Sequence, residues 1–188
     1  IEIIEEAAVS LGPLINEMVF TGGCVTGLLI TDPAAPPART TVDVDMLVEI
    51  SSLASYYKLS EKLRSRGFIE DTSPESPICR WKRKRLLLDV MPTNPNILGF
   101  GNQWYAPAFA AAKWIQLSPG TKIRILPAPY FLATKLEAFD GRGQNNYLMS
   151  RDMEDIVTVL DGRSEIAEEV KNTEKHLNSF LIKRLADL

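Results

Sequence analysis

Hydrophobic residues alternate with polar ones in several segments, and this pattern predicts strands. In TVDVDMLVEI (residues 41–50) the apolar side chains take one face, while Asp43 and Asp45 lie on the other. ICRWKRKRLLLDVMP (78–92) predicts two adjoining strands or a hairpin, with a basic stretch followed by an apolar one. VFTG and TKIRIL predict two shorter strands. These segments together predict a sheet.

Apolar residues spaced three and four apart predict helices around these strands. Residues 3–18 predict a helix interrupted near Gly12–Pro13, and residues 53–66 predict a helix that ends at Gly67. CVTGLLIT predicts a helix opened by two glycines, and the proline-rich TDPAAPPART after it predicts a loop. PYFLATKLEAFD, SRDMEDIVTVLD and one or two polar helices up to Leu188 complete the chain.

The order of these elements predicts an α/β (α+β) fold with a C-terminal helical part. Residues 1–126 form the predicted core, and residues 127–188 form a C-terminal helical part packed on it. We predict no regular element before TKIRIL in the proline-flanked, aromatic stretch of residues 92–120.

Composition excludes several classes of protein. The 188 residues are 45% hydrophobic and 24% charged, as in an ordinary globular domain, and the net charge of −3 excludes binding to nucleic acid by overall positive charge. One histidine and two distant cysteines exclude a multi-histidine metal site and a disulfide framework, so a metal ion would need carboxylate ligands, which favours Mg²⁺. No apolar run approaches a membrane span and IEIIEEAAVS lacks a basic leader segment, so we expect a cytoplasmic protein without membrane contact.

The two acids of TVDVDMLVEI are the first candidate site residues. Asp43 and Asp45 lie two residues apart on one strand face, so their backbones are about 7 Å apart and their carboxylates repel each other. A divalent cation between them would remove that conflict. The alternative is a half-buried strand that turns its polar face to water.

Asp89 is a third candidate because apolar residues flank it in RLLLDVM. An unpaired carboxylate there is expensive to bury, so it is normally paired or bound to a metal ion. The alternatives are a capped strand end and a salt bridge to an arginine. With Asp43 and Asp45, Asp89 would complete the oxygen ligands of a two-metal site for phosphoryl transfer.

Gly22 and Gly23 lie at the predicted turn from strand to helix, just upstream of the paired acids. Glycines at such a turn let backbone N–H groups approach a phosphate. The alternative is a turn without a ligand.

This order of motifs resembles the DNA polymerase β-like nucleotidyltransferase superfamily. The matching residues are Gly22–Gly23, then Asp43 and Asp45, and then Asp89. The resemblance implies a nucleotidyltransferase-like mixed sheet, two Mg²⁺ ions held by the three acids, and an NTP whose β- and γ-phosphates bind at the glycine turn. Cys24 stands where the superfamily usually has serine.

The C-terminal segments extend the resemblance. Lys135 lies on an apolar helix stripe, and Asp152 and Asp155 are one turn apart after Ser150, a predicted N-cap. The alternative for Lys135 is a side chain that reaches to solvent. The alternative for Asp152 and Asp155 is a favourable interaction of acids with the N-terminus of their helix. The segments KLEA and RDMEDI resemble motifs of AbiEii-type nucleotidyltransferases from bacterial toxin–antitoxin systems. That resemblance implies that Lys135 binds nucleotide, that Asp152 or Asp155 joins the active site, and that Arg151 orients them.

One short stretch concentrates the positive charge of the chain. It holds the aromatic Trp81 together with five basic residues: Arg80, Lys82, Arg83, Lys84 and Arg85. These residues would hold the phosphates of an RNA or tRNA acceptor while Trp81 stacks on a base. The alternative is a solvated edge strand protected against aggregation.

Our first hypothesis is a Mg²⁺-dependent nucleotidyltransferase that transfers a nucleoside monophosphate from an NTP to an acceptor hydroxyl. Asp43 and Asp45 would bind both metal ions, Asp89 would complete the second metal site or activate the hydroxyl, and Lys135 would neutralise the triphosphate. The acceptor would be RNA or tRNA, a protein or a small molecule such as an aminoglycoside, and a toxin of this kind would have a cognate antitoxin.

Two other hypotheses remain open. One is a non-catalytic protein of the same fold that binds nucleotide or a partner protein, which Cys24 in place of serine supports. The other is an RNA-binding module that uses Arg80 to Arg85, whose binding would be independent of metal and would weaken steeply with salt.

Overall fold

The computed structural model describes residues 1–143 and 146–188. The strands are β1 (Met18–Thr21), β2 (Asp43–Val48), β3 (Ile69–Glu70), β4 (Arg80–Arg83), β5 (Leu86–Pro92), β6 (Lys113–Ser118) and β7 (Thr121–Ile125). The α-helices are α1 (Glu2–Leu11), α2 (Thr26–Leu29), α3 (Leu53–Ser65), α4 (Tyr105–Ala111), α5 (Ala128–Arg142), α6 (Arg151–Gly162), α7 (Ile166–Lys171) and α8 (Lys175–Ala186), with 3₁₀ turns at Gly12–Glu17 and Gly23–Val25.

The seven strands form one mixed sheet in the order β3-β4-β5-β2-β1-β7-β6. The pairs β2–β5 and β1–β7 are parallel, and the other neighbours are antiparallel. The predicted mixed α/β architecture is therefore confirmed. The connection between the parallel strands β2 and β5 contains α3, β3 and β4, and β4 and β5 form a hairpin, one of the two arrangements predicted.

Strand alternation places apolar residues on both faces of the sheet. Val44, Met46 and Val48 of β2 join a large core that also contains Leu88 and Val90 of β5 and extends into α1 and the C-terminal helices. The opposite face carries a smaller cluster, which includes Val19, Leu47, Met91 and Ala108. Since α5 to α8 share the large core with the sheet, the C-terminal helices pack on it; the division of the chain after residue 126 stays a prediction.

Two elements in residues 92–120 were not predicted. The helix α4 contains Pro107, and a proline in the sequence usually indicates the end of a helix. Here Pro107 lies in the first turn of α4, where proline is tolerated. Strand β6 pairs with β7 through a turn at Gly120, whose φ of 84° is a conformation that glycine adopts easily. The two-residue β3 was also missed, since so short a strand has no periodic pattern.

The helices can be compared with the dimensions of a bilayer. Across residues 1–143 and 146–188, none of the helices combines the length and the apolar character needed to span a bilayer.

Candidate active site

The sheet brings the three predicted acids together. Asp45 of β2 lies directly beside Asp89 of the parallel strand β5, and Asp43 is two residues before Asp45 on the same strand face. All three lie on the face that carries the smaller apolar cluster. Asp89 is buried, and Asp43 and Asp45 are half-buried. The alternation seen in the sequence thus places three carboxylates at one position of the sheet.

Arg80 is paired with two of these acids. Its Nε donates a hydrogen bond to Asp89 Oδ1 (2.7 Å), and its Nη2 donates to Asp89 Oδ2 (2.7 Å) and to Asp43 Oδ2 (2.6 Å). The structure therefore shows the salt bridge to an arginine that was one alternative for Asp89. We call Asp43, Asp45, Asp89 and Arg80 the acidic cluster.

Asp45 is the acid of this cluster without a cationic partner. No hydrogen bond to its carboxylate is found from the described part of the chain, and Arg80 contacts the other two acids instead. Burial, together with the negative charges of Asp43 and Asp89, raises the pKa of Asp45 to about 7. The acidic cluster thus holds more negative charge than Arg80 neutralises.

The glycine turn lies against Asp45. Gly22 has a φ of 67°, and a Cβ atom at this position would lie 1.8 Å from Asp45 Oδ2. Both the backbone conformation and the lack of space therefore require glycine here. A Cβ atom at Gly23 would lie 2.5 Å from an Nη atom of Arg39. The turn continues into a short 3₁₀ segment and the four-residue α2 rather than into a long helix.

Cys24 follows this turn and holds a neutral thiol. Its Sγ donates a hydrogen bond to the backbone oxygen of Thr21 (3.0 Å). Burial, with the nearby charge of Asp45, raises the pKa of the Cys24 thiol far above its ordinary value. A thiol that is protonated and turned to its own backbone does not act as a nucleophile.

Lys135 is held between the two acids of α6. Its Nζ lies 3.1 Å from Asp152 Oδ1 and 2.7 Å from Asp155 Oδ2, and all three side chains are buried. Ser150 caps α6 by accepting a hydrogen bond from the Met153 N–H, as predicted. Lys135 is therefore not a lysine that reaches to solvent, because carboxylates satisfy it inside the protein.

Two arginines that were not predicted complete this group. Arg39 donates two hydrogen bonds of 2.9 Å to Asp155, and Arg142 donates two of 2.8 Å to Asp152. Burial alone would raise the pKa of Asp152. The hydrogen bonds from Arg142 and the charge of Lys135 have a larger effect, so the pKa of Asp152 is lowered. We call Arg39, Lys135, Arg142, Asp152 and Asp155 the basic cluster.

The sequence contains a signal for one of these arginines only. Arg142 follows Lys135 by seven residues, so two helical turns bring both to one side of α5. Arg39 lies in the proline-rich loop, which has no periodicity to place it. Arg151, predicted to orient the helical acids, makes no ion pair with them in the described chain, and Arg39 and Arg142 bind them instead.

Both clusters line one cavity of about 640 Å³, a size typical of small-molecule sites. The predicted site residues along it are Gly23, Asp43, Asp45, Asp89, Lys135, Arg151 and Asp152, and Gly22 is not among its lining residues. Arg80, predicted only as a contact for an RNA acceptor, also lines it, together with the unpredicted Arg39 and Arg142. Asp155 lies behind Lys135 and does not line the cavity. Cys24 lines a second, adjoining cavity with Gly23 and Arg39.

The basic stretch of β4 does not form one continuous surface. Arg80 turns to the acidic cluster, Lys82 pairs with Asp71, and Arg83 donates to the Ser10 hydroxyl. Trp81 is buried in the core and offers no surface for a base to stack on. Contact of this stretch with an RNA acceptor, Lys84 and Arg85 included, stays a prediction.

Asp43 and Asp45 fit a divalent cation better than Asp89 does. They offer hard oxygen ligands on one strand face, and Asp45 has no competing partner among the described residues. Both oxygens of Asp89 accept hydrogen bonds from Arg80. In the described ranges, no three His, Cys, Asp or Glu side chains are grouped to hold a metal ion. Two Mg²⁺ ions held by three acids therefore stay a prediction.

Comparison with known proteins supports the fold. Neither a protein-family model nor a curated protein sequence matches the chain. The chain is similar to the solution structure of the antibiotic-resistance factor ANT(2'')-Ia, an aminoglycoside nucleotidyltransferase. The TM-score is 0.60 and the sequence identity 14%, over 99% of this chain and 92% of that one. The chain thus has a nucleotidyltransferase-like fold, and its place in the AbiEii-type branch stays a prediction.

Proposed function

We propose that the protein is a metal-dependent nucleotidyltransferase that moves a nucleoside monophosphate from an NTP to an acceptor hydroxyl. The observation that carries this proposal is the one cavity lined by the acidic cluster, by Gly23 and by the basic cluster apart from Asp155. An NTP bound to a divalent cation carries complementary charges: the cation suits carboxylates, and the phosphates suit guanidinium and ammonium groups. The nucleotidyltransferase-like fold supports the same activity.

The proposed transfer breaks a phosphoanhydride bond and forms a phosphate ester bond. The acceptor hydroxyl oxygen forms a bond to the α-phosphorus, the bond from that phosphorus to the bridging oxygen of the β-phosphate breaks, and pyrophosphate leaves. The hydroxyl proton passes to solvent or to a carboxylate. A divalent cation bound by Asp43 and Asp45 would neutralise phosphate charge during this exchange.

The chain's own residues supply binding and orientation. Arg142 and Arg39 have planar guanidinium groups at the cavity and suit phosphate oxygens, while Lys135 adds a fixed positive charge behind them. Gly23 lines the same cavity. Both oxygens of Asp89 accept hydrogen bonds from Arg80, so the predicted activation of the hydroxyl by Asp89 requires Arg80 to move away.

The acceptor is proposed by chemical class. RNA or tRNA, a protein and a small polyhydroxylated molecule all present hydroxyls, and the likeness to ANT(2'')-Ia adds weight to the small molecule. A toxin role and a cognate antitoxin rest on the motif resemblance alone.

Label transfer tests the proposal. The protein is incubated with each α-³²P-labelled NTP and Mg²⁺, and separately with total RNA, a protein extract or an aminoglycoside. We expect one NTP to label one acceptor, and Asp43→Asn to lower the rate at least about a hundredfold. Asp161→Asn, an exposed acid outside the cavity, is the control and should keep the rate. Equal rates for Asp43→Asn and the wild type contradict the proposal.

A second candidate function is nucleotide binding without transfer. The pairing of Arg80 with Asp89 and Asp43 favours it, because this pairing occupies oxygens that a two-metal enzyme would use. Nucleotide binding that is measurable by calorimetry, with no acceptor labelled in any of the three mixtures, supports this alternative.

A further inference from the structure

Backbone pairing fixes Arg80 beside the acidic cluster. Arg80 lies directly opposite Asp89 across the antiparallel strands β4 and β5, and Asp89 lies beside Asp45 across the parallel strands β5 and β2. Residues paired in this way have side chains on the same sheet face. The guanidinium group therefore reaches Asp89 without any loop having to close over it, and its side chain is only 17% exposed.

The hydrogen bonds of Arg80 leave one part of the cluster open. Both oxygens of Asp89 and one oxygen of Asp43 accept its hydrogen bonds. The other oxygen of Asp43 and both oxygens of Asp45 accept none from the described residues. A two-metal site needs carboxylate oxygens for two ions about 3.5–4 Å apart. The open oxygens here belong to two acids that are neighbours on one strand, which suits a single ion.

We propose that Arg80 takes the place of a second metal ion, so that the cleft binds one divalent cation, on Asp43 and Asp45. Arginine remains charged at every physiological pH, and its planar group matches a carboxylate with two parallel hydrogen bonds. It thus neutralises the buried Asp89 without drawing on free metal. The inference rests on the proposed function in that the bound cation is the one that accompanies the nucleotide.

Counting the bound ions tests this inference without any turnover. The protein alone, without nucleotide, is titrated with Mn²⁺, and free Mn²⁺ is measured by electron paramagnetic resonance. We expect one ion per wild-type chain. Arg80→Gln frees the oxygens of Asp89 and Asp43, so it should bind a second ion or bind the first on the order of tenfold more tightly. Arg80→Lys keeps the charge and should bind one ion.

Controls separate this inference from loss of the fold and from the proposed function. Arg184→Gln removes an arginine–aspartate pair outside the cavity and should leave Mn²⁺ binding unchanged. If Arg80→Gln fails to fold, the numbers of Mn²⁺ ions bound by the wild type and by Arg80→Lys still test the inference. Two ions or none on the wild-type chain, or unchanged binding by a folded Arg80→Gln, overturns the inference. One ion on a chain that transfers no label contradicts the proposed function and leaves the role of Arg80 standing.

Discussion

The acidic and basic clusters lie at one cavity but carry opposite excess charge: the acidic cluster is negative and the basic cluster is positive. In the acidic cluster three carboxylates face one guanidinium group, and Asp45 has no partner among the described residues. In the basic cluster three cations surround two carboxylates, and each acid contacts two cations. One cluster therefore suits a cation and the other suits phosphate oxygens.

The two clusters also differ in what holds them together. The acidic cluster is built from strand register, which brings its carboxylates together in spite of their mutual repulsion. The basic cluster is built from ion pairs that join a loop, α5 and α6. Substitutions should therefore affect the two differently: removing the unpaired charge of Asp45 should relieve repulsion in the first, whereas removing a charge from the second should break its ion pairs.

Removal of the shared lysine should give the largest change in stability. Lys135→Met leaves Asp152 and Asp155 buried with one arginine each, and we expect the free energy of unfolding to fall by about 3 kcal/mol. Urea denaturation measures this. Lys82→Met, whose partner Asp71 lies outside the cavity, is the control and should remain close to the wild type. Equal stability of Lys135→Met and the wild type would show that the basic cluster does not hold α5 to α6.

The glycine turn gives the next largest effect, in the acidic cluster. Gly22→Ala combines a positive φ with a Cβ atom that would overlap Asp45, so we expect a loss of about 2 kcal/mol in the free energy of unfolding. Gly120→Ala has a similar φ and no atom within 4 Å of the added Cβ, so it measures the backbone contribution alone. Equal losses in the two variants would mean that Asp45 moves aside without penalty.

Neutralising single acids should change stability in opposite directions. The raised pKa of Asp45 means that the folded protein holds a proton which the unfolded chain releases near pH 4, so the contribution of Asp45 to stability falls as the pH rises from 4 to 7. Asp45→Asn removes this penalty and should be more stable than the wild type at pH 8, by about 1 kcal/mol, and equal to it at pH 4.

Asp89→Asn provides the contrast to Asp45→Asn. It takes a charged partner from Arg80 and should lower stability at pH 8 by about 1–2 kcal/mol. Thermal melts of both variants from pH 4 to pH 8 measure the difference. If Asp45→Asn is as destabilising as Asp89→Asn, the Asp45 carboxylate has a stabilising partner in the folded protein.

Arg142 should show the smallest effect on stability. Its side chain is largely exposed at the cavity, so Arg142→Gln should change the free energy of unfolding by less than about 1 kcal/mol. Its charge should matter more for phosphate, and we expect nucleotide affinity to fall about tenfold, as measured by calorimetry. Unchanged affinity would remove Arg142 from the proposed phosphate site.

The sequence predicted most of the sheet and the position of the acids for a simple physical reason. Period-two alternation in residues 41–50 determines the face of Asp43 and Asp45, and the apolar flanks of Asp89 require that residue to be paired or ligated. The amphipathic spacing of α5 placed Lys135 on an apolar stripe, whereas the burial of Asp152 and Asp155 was not predicted.

The partners of these residues were not predictable in the same way. Pairing of Arg80 with Asp89 depends on hairpin register, which a sequence without a defined turn type leaves open. Arg39 reaches Asp155 across 116 positions of the chain from an irregular loop, and no local pattern encodes such a contact. Arg80 to Arg85 form a basic run in the sequence, but strand alternation distributes the side chains among separate partners.

The division of roles between the two clusters is tested most directly by metal-dependent nucleotide affinity. The dissociation constant of a non-hydrolysable NTP is measured by calorimetry with Mg²⁺ and with EDTA, for the wild type, Asp43→Asn and Arg142→Gln. We predict that Mg²⁺ tightens binding to the wild type and to Arg142→Gln, although the latter binds more weakly throughout, and that Mg²⁺ has no such effect on Asp43→Asn. The same tightening by Mg²⁺ in Asp43→Asn as in the wild type would contradict the assignment of the cation to the acidic cluster.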